Sequence, residues 1–147
     1  MSFTIHALSD SKLVLTCNGT ALHMRPIISY KHPHPTQSWQ LPWFAPEQED
    51  GVSIIASSIT RYCLQLYDGT PKLFRPTDIA SQQMLLVPLK TNCVHEHAVQ
   101  IYSYDDTNFC LSLQTEREQV SWRYWRDVTR TDQICDGWII RFHPRHA

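Results

Sequence analysis

Short runs in which apolar and polar residues alternate recur along the chain, and this period of two is typical of β-strands. Three such runs, rich in β-branched and aromatic residues, cover 3–7, 52–56 and 99–103. Three further apolar runs cover 39–44, 84–89 and 138–142. No window of eleven or more residues has helical periodicity, and nine Pro residues oppose long helices. The pattern therefore predicts an all-β protein.

The alternating runs belong to a unit that occurs three times. Residues 13–26 and 63–76 align at a constant offset of 50; both contain a Gly-Thr pair, and they end in Met-Arg-Pro and Phe-Arg-Pro. A third copy begins at Cys110 and returns to the pattern at Trp122. The copies divide the chain into repeats of roughly 1–48, 49–95 and 96–147, each with about four strands. A closed three-fold assembly leaves few free strand edges, so we expect a single β-trefoil domain over 1–147.

The alignment also predicts the core and the turns. One equivalent inward position is expected to hold Leu13, Cys63 and Cys110. Two core layers are expected to consist of Met24, Phe74 and Trp122, and of Trp39, Met84 and Trp138. Three arginines next to core positions should point the other way: Arg25, Arg75 and Arg123. The pairs Asn18-Gly19 and Asp68-Gly69 predict tight hairpin turns.

The composition of the chain makes several classes of function unexpected. The net charge is −1 and only 18% of the residues are charged, so a nucleic-acid partner is not expected. No apolar stretch approaches eighteen residues, and no membrane span is expected. The amino-terminal residues lack a basic segment followed by an apolar one, which predicts a cytoplasmic protein. Its five Cys contain no CxxC pair and are expected to be reduced thiols.

The repeats resemble the ricin-B-type (QxW) β-trefoil lectins, in particular small single-domain fungal members. Residues 63–66 and 110–113 look like that family's Cys-Leu-Asp-Val strand, and residues 18–23 look like its Asn-Gly stretch. Gln37-Ser38-Trp39 is a literal QxW motif, and Gln82-Gln83-Met84 and Asp136-Gly137-Trp138 are degenerate versions. The resemblance implies a sugar-binding protein with a defence role, whose partners are glycans or glycoproteins.

One departure from that family bears directly on sugar binding. In such lectins an Asp at the third place of the Cys-Leu-Asp-Val strand accepts hydrogen bonds from sugar hydroxyls. In the alignment this place holds Leu15, Gln65 and Ser112, none of which is a carboxylate. Leu15 offers no acceptor, whereas Gln65 and Ser112 can bond hydroxyls as neutral groups.

The third repeat carries the most pointed candidate site, the aromatic stretch 122–127. If Trp122 is in the core, Trp125 lies on the opposite face beside Arg123, an arrangement suited to stacking on a sugar. The favoured site in the third repeat comprises Trp125, Tyr124, Arg123, Asp136 and Ser112. A second site in the second repeat comprises Gln65, Tyr67, Arg75 and Gln82. The sequence leaves a homodimer open.

A different function remains open, since the same fold serves protease inhibitors that bind through exposed loops. The stiff Tyr30–Pro35 segment, with alternating His and Pro, and the segment after Pro42 are the candidate loops. Catalysis is not expected because no GxSxG, HExxH or glycine-rich phosphate motif is present. His32 and His34 lack a third ligand, so neither a metal nor another cofactor is expected.

Overall fold

A computed structural model describes residues 2–41, 52–77, 79–89, 98–114, 119–124 and 134–143, with only the backbone described at Ile134 and Cys135. The strands in these ranges are β1 (Ser2–Ala7), β2 (Leu13–Asn18), β3 (Ala21–Pro26), β4 (Trp39–Gln40), β5 (Val52–Ser53), β6 (Ala56–Ser57), β7 (Cys63–Gln65), β8 (Lys72–Phe74), β9 (Met84–Pro88), β10 (Ala98–Ser103), β11 (Phe109–Gln114), β12 (Gln119–Tyr124), β13 (Ile134–Cys135) and β14 (Trp138–His143). Two 3-10 turns, η1 (Pro35–Gln37) and η2 (Ala80–Gln82), complete the elements. No helix in the described part of the chain has the length and apolar character needed to cross a membrane.

The first and last strands of the repeats form a closed barrel. Around the ring, β1 pairs with β14, β14 with β10, β10 with β9, and β9 with β5. The strand β6 follows β5 in the chain and pairs with β4, and β4 pairs with β1. Because the ring closes on itself, its strands have no unpaired edge along these ladders.

The middle strands of each repeat form a hairpin that joins the barrel at one register point. The hairpins are β2–β3, β7–β8 and β11–β12. Their contacts with the barrel are the pairs His6↔Val14, Ala56↔Cys63 and Tyr102↔Cys110. Six barrel positions with three hairpins make up a β-trefoil, which confirms the predicted fold class.

The core consists of three-fold layers contributed by equivalent strands. Three of these layers have no solvent exposure, and they consist of Ile5, Ile55 and Ile101, of Leu15, Leu64 and Leu111, and of Trp39, Met84 and Trp138. The predicted layer of Trp39, Met84 and Trp138 is therefore confirmed. Each buried indole N–H has an acceptor, since Trp39 donates to the Leu15 carbonyl (3.1 Å) and Trp138 to the Leu111 carbonyl (2.9 Å).

The predicted offset of 50 between the first two repeats is wrong by one residue along the hairpins. The equivalent cross-strand pairs are Leu15↔Met24, Leu64↔Leu73 and Leu111↔Trp122. Leu73, rather than Phe74, therefore completes the layer with Met24 and Trp122, and Leu73 is buried while Phe74 is only half-buried. The repeated Gly-Thr pairs misled the alignment, because they do not occupy the same place in the two turns.

This shift changes three further equivalences. Val14, not Leu13, is the equivalent of Cys63 and Cys110, because all three lie opposite a barrel strand in the same register. These three side chains are buried, but on the face of the hairpin opposite the core residues Leu15, Leu64 and Leu111. Thr16, not Leu15, holds the third place of the first repeat's strand. Among the arginines, Arg75 does not correspond to Arg25 and Arg123, since Phe74 lies opposite Cys63 as Arg123 lies opposite Cys110.

Candidate functional site

Gln82, a predicted ligand-binding residue of the second repeat, is buried at 1% exposure. Its Nε2 donates to Gln65 Oε1 (3.0 Å) and to the Arg75 carbonyl (2.8 Å). Its Oε1 accepts from the Thr77 N–H (3.0 Å). Gln65 is buried as well. These two amides therefore stabilise the chain between β8 and η2 through buried hydrogen bonds, a contact we call the amide brace. They do not present polar groups at the surface.

Gln37 occupies the same place in the first repeat. Its Nε2 donates to Thr16 Oγ1 (3.2 Å) and the Pro26 carbonyl (3.0 Å), and its Oε1 accepts from the Ile28 N–H (3.0 Å). In the third repeat this place holds Asp136, whose carboxylate cannot donate. The third repeat thus lacks the brace of the other two and has a charged acceptor instead.

The other two residues predicted for the second repeat lie apart from this network. Tyr67 and Arg75 are exposed. The Tyr67 ring meets the Phe74 ring edge-on, with centroids 5.5 Å apart. The structure therefore divides the four residues into a buried pair, Gln65 and Gln82, and an exposed pair on the hairpin.

In the third repeat, the predicted residues also separate. Ser112 is fully buried, and its hydroxyl lies 3.6 Å from the Cys110 sulfur, so it is not presented to a ligand at the surface. Tyr124 is half-buried and meets Phe109 edge-on, with centroids 5.7 Å apart. Trp125 lies outside the described residues and stays a prediction.

Arg123 lies in a row of side chains that crosses three strands. It is opposite Cys110 on β11, and Cys110 is opposite Tyr102 on β10, so the three share a face. Arg123 Nε is buried and makes no hydrogen bond to a described residue. Arg123 as a whole is half-buried, so the accessible part of its side chain remains a candidate ligand contact.

Asp136 is fixed beside this row by a short chain of hydrogen bonds. Its Oδ2 accepts from Gln100 Nε2 (2.7 Å), and Gln100 Oε1 accepts from the Tyr102 hydroxyl (3.1 Å). Burial raises the pKa of the Cys110 thiol, and the nearby Asp136 charge raises it further. Asp136 is half-buried, and its Oδ1 accepts no hydrogen bond from the described residues. Within the described part of the chain this oxygen has no donor, and Gln100 links the carboxylate to Tyr102.

A shallow cavity of about 340 Å³ adjoins this chain of hydrogen bonds and is lined by Leu85, Val87, Tyr102 and Thr107. The register explains its shape, because Gln100 lies opposite Val87 and Tyr102 opposite Leu85 on the outer face of the barrel. We call this region, comprising Leu85, Val87, Gln100, Tyr102, Thr107 and Asp136, the β9–β10 surface. It combines an aliphatic floor, a phenol, an amide and a carboxylate.

Sequence reasoning named only Asp136 among these residues. The signal that points to the others is the period of two in adjacent strands. Ile101 faces the core, so Gln100 and Tyr102 must face outward, and Leu85 and Val87 face outward opposite them. Leu85, Val87 and Tyr102 are half-buried, so part of each side chain is accessible on this outer face.

No protein-family model matches the sequence, and no curated protein matches it at a significant level. Solved structures do match. The designed three-fold symmetric protein ThreeFoil has a TM-score of 0.67 at 12% identity, covering 96% of this chain and 98% of that one. The Haemophilus ducreyi cytolethal distending toxin has a TM-score of 0.73 at 15% identity, covering 99% and 86%.

A third structural match is an enzyme, the GlcNAcα1-4Gal-releasing endo-β-galactosidase from Clostridium perfringens. Its TM-score is 0.70 at 12% identity, with coverage of 95% of this chain and 32% of the enzyme. Identities this low show a shared fold and nothing more. The chain is thus a β-trefoil protein.

Proposed function

We propose that this β-trefoil protein is a lectin related to the ricin-B type and that it binds glycans at the β9–β10 surface. The observation that carries the proposal is the chain Tyr102–Gln100–Asp136 beside an apolar cavity. Sugars present both an apolar CH face and a set of hydroxyls, and this surface offers a matching partner for each. In this proposal the protein is a cytoplasmic, non-enzymatic defence protein of fungal type.

The polar half of the surface would bind sugar hydroxyls. Asp136 Oδ1 accepts a hydroxyl proton, and a charged acceptor makes a stronger bond than a neutral one. Gln100 holds the carboxylate in place, because its amide is oriented by a bond at each end. Asp136 thus takes over the role that the resemblance assigns to an Asp at the place of the buried Ser112.

The apolar half of the surface would bind the CH face of the same sugar. Leu85 and Val87 form its floor, and the Tyr102 ring forms one side. Arg123 lies in the adjoining row and can donate to ring or hydroxyl oxygens. The structural match to an endo-β-galactosidase supports galactose-containing glycans as the first probes.

The test is a glycan array, followed by titration calorimetry with the strongest ligand. We expect Asp136→Asn to weaken binding by about tenfold or more, in line with the loss of a charge-assisted hydrogen bond. Tyr102→Leu should weaken it by a similar factor. The matched control is Asp10→Asn, which removes a carboxylate from the turn after β1 and leaves an oxygen to accept from the Lys12 N–H. Equal binding by the wild type and both site variants would refute the proposal.

The loop Tyr30–Pro35 supports a second candidate function, protease inhibition. Ile28 and Tyr30 are exposed at 61% and 63%, and polar contacts hold the loop in shape around them. His34 Nδ1 lies 2.7 Å from Thr36 Oγ1, and the Ile28 N–H is bound by Gln37. An exposed segment on a rigid base is what a protease cleft accommodates. The segment after Pro42 lies outside the described residues.

The protease-inhibitor hypothesis is tested by measuring inhibition of a panel of serine and cysteine proteases. Nanomolar inhibition that Tyr30→Ala removes, without a glycan signal on the array, would favour this function over the lectin. Retained inhibition in Tyr30→Ala would exclude this loop as the contact.

A further inference from the structure

The first barrel strand helps to position Asp136, the charged acceptor of the β9–β10 surface. Just after β1, the Leu8 N–H donates to the carbonyl of Gly137 (3.1 Å), the residue that follows Asp136. The Leu8 side chain also packs closely on that glycine, because a Cβ added to Gly137 would lie 2.6 Å from Leu8 Cδ2. A displacement of Leu8 would therefore remove both the bond and the packing that hold the chain next to Asp136.

A backbone bond equivalent to this one follows the barrel strand in the other two repeats. The equivalent bonds run from the Ser58 N–H to the Ser38 carbonyl (3.1 Å) and from the Tyr104 N–H to the Gln83 carbonyl (2.9 Å). The residue before each acceptor is there a glutamine, which buried amide bonds hold as well. Asp136 cannot make those bonds, because a carboxylate does not donate. Its position therefore depends more on the bond from Leu8 and on its contact with Gln100.

Two residues before Leu8, the fully buried His6 makes hydrogen bonds through both ring nitrogens. Its Nδ1 lies 2.7 Å from the Ser11 carbonyl in the turn between β1 and β2, and its Nε2 lies 2.7 Å from Thr4 Oγ1. Thr4 Oγ1 also lies 3.1 Å from His143 Nε2 at the end of β14. This series of contacts, which we call the histidine chain, joins β1 to β14 and to the turn that precedes β2.

The histidine chain has three contacts, and each contact holds one hydrogen. With both rings neutral, His6, Thr4 and His143 supply one hydrogen each. One further proton fits, because on His143 it lies on Nδ1, outside the chain, and on His6 it reverses the direction of the bonds. With both rings protonated, His6 supplies two hydrogens and the other two residues one each. Double protonation therefore breaks one contact of the chain.

In the described part of the chain, the charged side chains that share a face with His6 are cationic. Arg141 and His143 lie on β14, and Arg25 lies on β3 beyond the apolar Val14 of β2. Burial lowers the pKa of His6 against the bond to Ser11, and the charges of Arg141 and His143 lower it further. Burial and Arg141 also lower the pKa of His143. The turn after β1 carries one exposed charge of each sign, Asp10 and Lys12.

We propose that the histidine chain makes glycan binding at the β9–β10 surface dependent on pH, a regulation that rests on the proposed function. At neutral pH the chain is complete, Leu8 is held against Gly137, and Asp136 is in position. When both rings are protonated, the buried charge of His6 draws the turn after β1 into water, since an unpaired charge is costly to bury. Leu8 then separates from Gly137, Asp136 loses its position, and the glycan is released.

The test is calorimetric titration with a galactoside at several values between pH 7.5 and 5. We expect the wild type to lose affinity by about tenfold over this interval, a usual size for coupling between two sites. His6→Gln and His143→Gln each leave a single titrating ring in the chain, so the loss should shrink to about threefold or less. The matched control is His23→Gln, which removes an exposed histidine of β3 and should keep the full loss.

Hydrogen exchange of the wild type without ligand tests the structural link. After correction for the intrinsic rate, exchange of the Leu8 amide should accelerate over the same pH interval. The Leu73 amide, which donates to the Thr20 carbonyl between two hairpins (2.9 Å), should stay protected. Equal acceleration at both amides would show global unfolding and would overturn the proposal.

Failure of this regulation is distinguishable from failure of the glycan site. Galactoside binding that is constant from pH 7.5 to 5, or a loss that both histidine variants retain in full, would refute the regulation and leave the β9–β10 site standing. Absence of galactoside binding at every pH would refute the proposed function and this regulation with it. Exchange of the Leu8 amide would then still show whether acid opens the histidine chain.

Discussion

Gly19 and Asp68 occupy the same position in the first and second hairpins, with φ values of 62° and 57°. Their turns have equal length, because Thr16 pairs with His23 as Gln65 pairs with Lys72. The residue in the left-handed conformation in the second hairpin is therefore the aspartate, not the glycine that follows it. Its own side chain helps, since Asp68 Oδ1 accepts from the N–H of residue 69 (2.9 Å).

The two glycines that the sequence aligns should respond differently to alanine. Gly19→Ala places a Cβ in the left-handed region and should cost about 1–2 kcal/mol of unfolding free energy. Gly69→Ala should be neutral or slightly stabilising, because Gly69 has no positive φ and an added Cβ meets nothing within 4 Å. Urea unfolding of both variants measures the difference. Equal losses would contradict the structural alignment of the turns.

The buried amide of Gln82 should contribute substantially to stability. Gln82→Ala leaves the Thr77 N–H, the Arg75 carbonyl and the Gln65 amide without their partner. We expect a loss of about 2–4 kcal/mol, since each unpaired buried group costs roughly 1–3 kcal/mol. Gln83→Ala, at the neighbouring half-buried position, is the matched control and should stay within about 0.5 kcal/mol of the wild type. A small effect of Gln82→Ala in thermal and urea unfolding would show that water replaces the brace.

The buried His6 is the centre of a chain of hydrogen bonds that joins the Ser11 carbonyl, the Thr4 hydroxyl and His143. Its Nδ1 lies 2.7 Å from the Ser11 carbonyl and must donate to it, so in the neutral ring Nε2 accepts from the Thr4 hydroxyl (2.7 Å). Thr4 in turn accepts from His143 Nε2 (3.1 Å). A proton on His6 Nε2 would reverse the series, because Nε2 would donate to Thr4 Oγ1 and the Thr4 hydroxyl would donate to His143 Nε2. Burial of the His6 ring disfavours this charged form.

Stability should fall as the pH is lowered through the histidine range. Burial lowers the pKa of His6, and the charges of Arg141 and His143 lower it further against the opposing bond to Ser11. Below about pH 6.5 the His6 side chain therefore binds a proton in the unfolded chain, while in the folded chain it stays neutral until the pH reaches its lower pKa. The stabilisation is complete above that pH and is lost from there down to the folded-state pKa.

The pH effect is measured by urea unfolding at several values between pH 7.5 and 5. We expect His6→Gln to lose less stability over this interval than the wild type, although it starts from a lower value. His143→Gln should also reduce the loss, because burial and Arg141 lower the pKa of that ring. A wild-type slope that persists unchanged in His6→Gln would contradict the assignment.

The Cys110 thiol should be inert in the folded protein. It is fully buried, and its raised pKa keeps it in the unreactive thiol form. Iodoacetamide labelling followed by peptide mass spectrometry should find it unmodified in buffer and modified in urea. Asp136→Asn should accelerate the labelling only slightly, since burial is the larger cause of the shift. Rapid native labelling would show that the strand face opens.

Much of the fold could be predicted from the sequence, because the alternation of apolar and polar residues marks single strands and the threefold repeat shows how many there are. The runs at 3–7 and 99–103 match β1 and β10, and the run at 84–89 matches β9. The hairpin equivalences failed because a two-residue sequence match was given more weight than the register. Backbone φ angles decide which residue of Asp68-Gly69 makes the turn, and no sequence motif reports them.

The candidate site was harder to predict, because it forms between repeats. Ser112 and Gln65 lie where the lectins that the repeats resemble place a sugar-binding Asp, but the structure buries both. Tyr102 and Leu85 meet only through the β9–β10 ladder, which joins the end of the second repeat to the start of the third. A repeat-by-repeat analysis of the sequence has no means of seeing a surface that spans two repeats.

The pairing of β1 with β14 has a consequence for synthesis. The two strands match residue for residue from Ser2↔His143 to Ala7↔Trp138, which is the longest ladder that β1 makes. On the ribosome the first strand must therefore wait until residues 138–143 have emerged before it can form this ladder. Until then Phe3 and Ile5 present an apolar edge that can pair with a neighbouring nascent chain. We expect ribosome stalling or truncation before residue 138 to release aggregation-prone chains, even though most of the hairpins are already made.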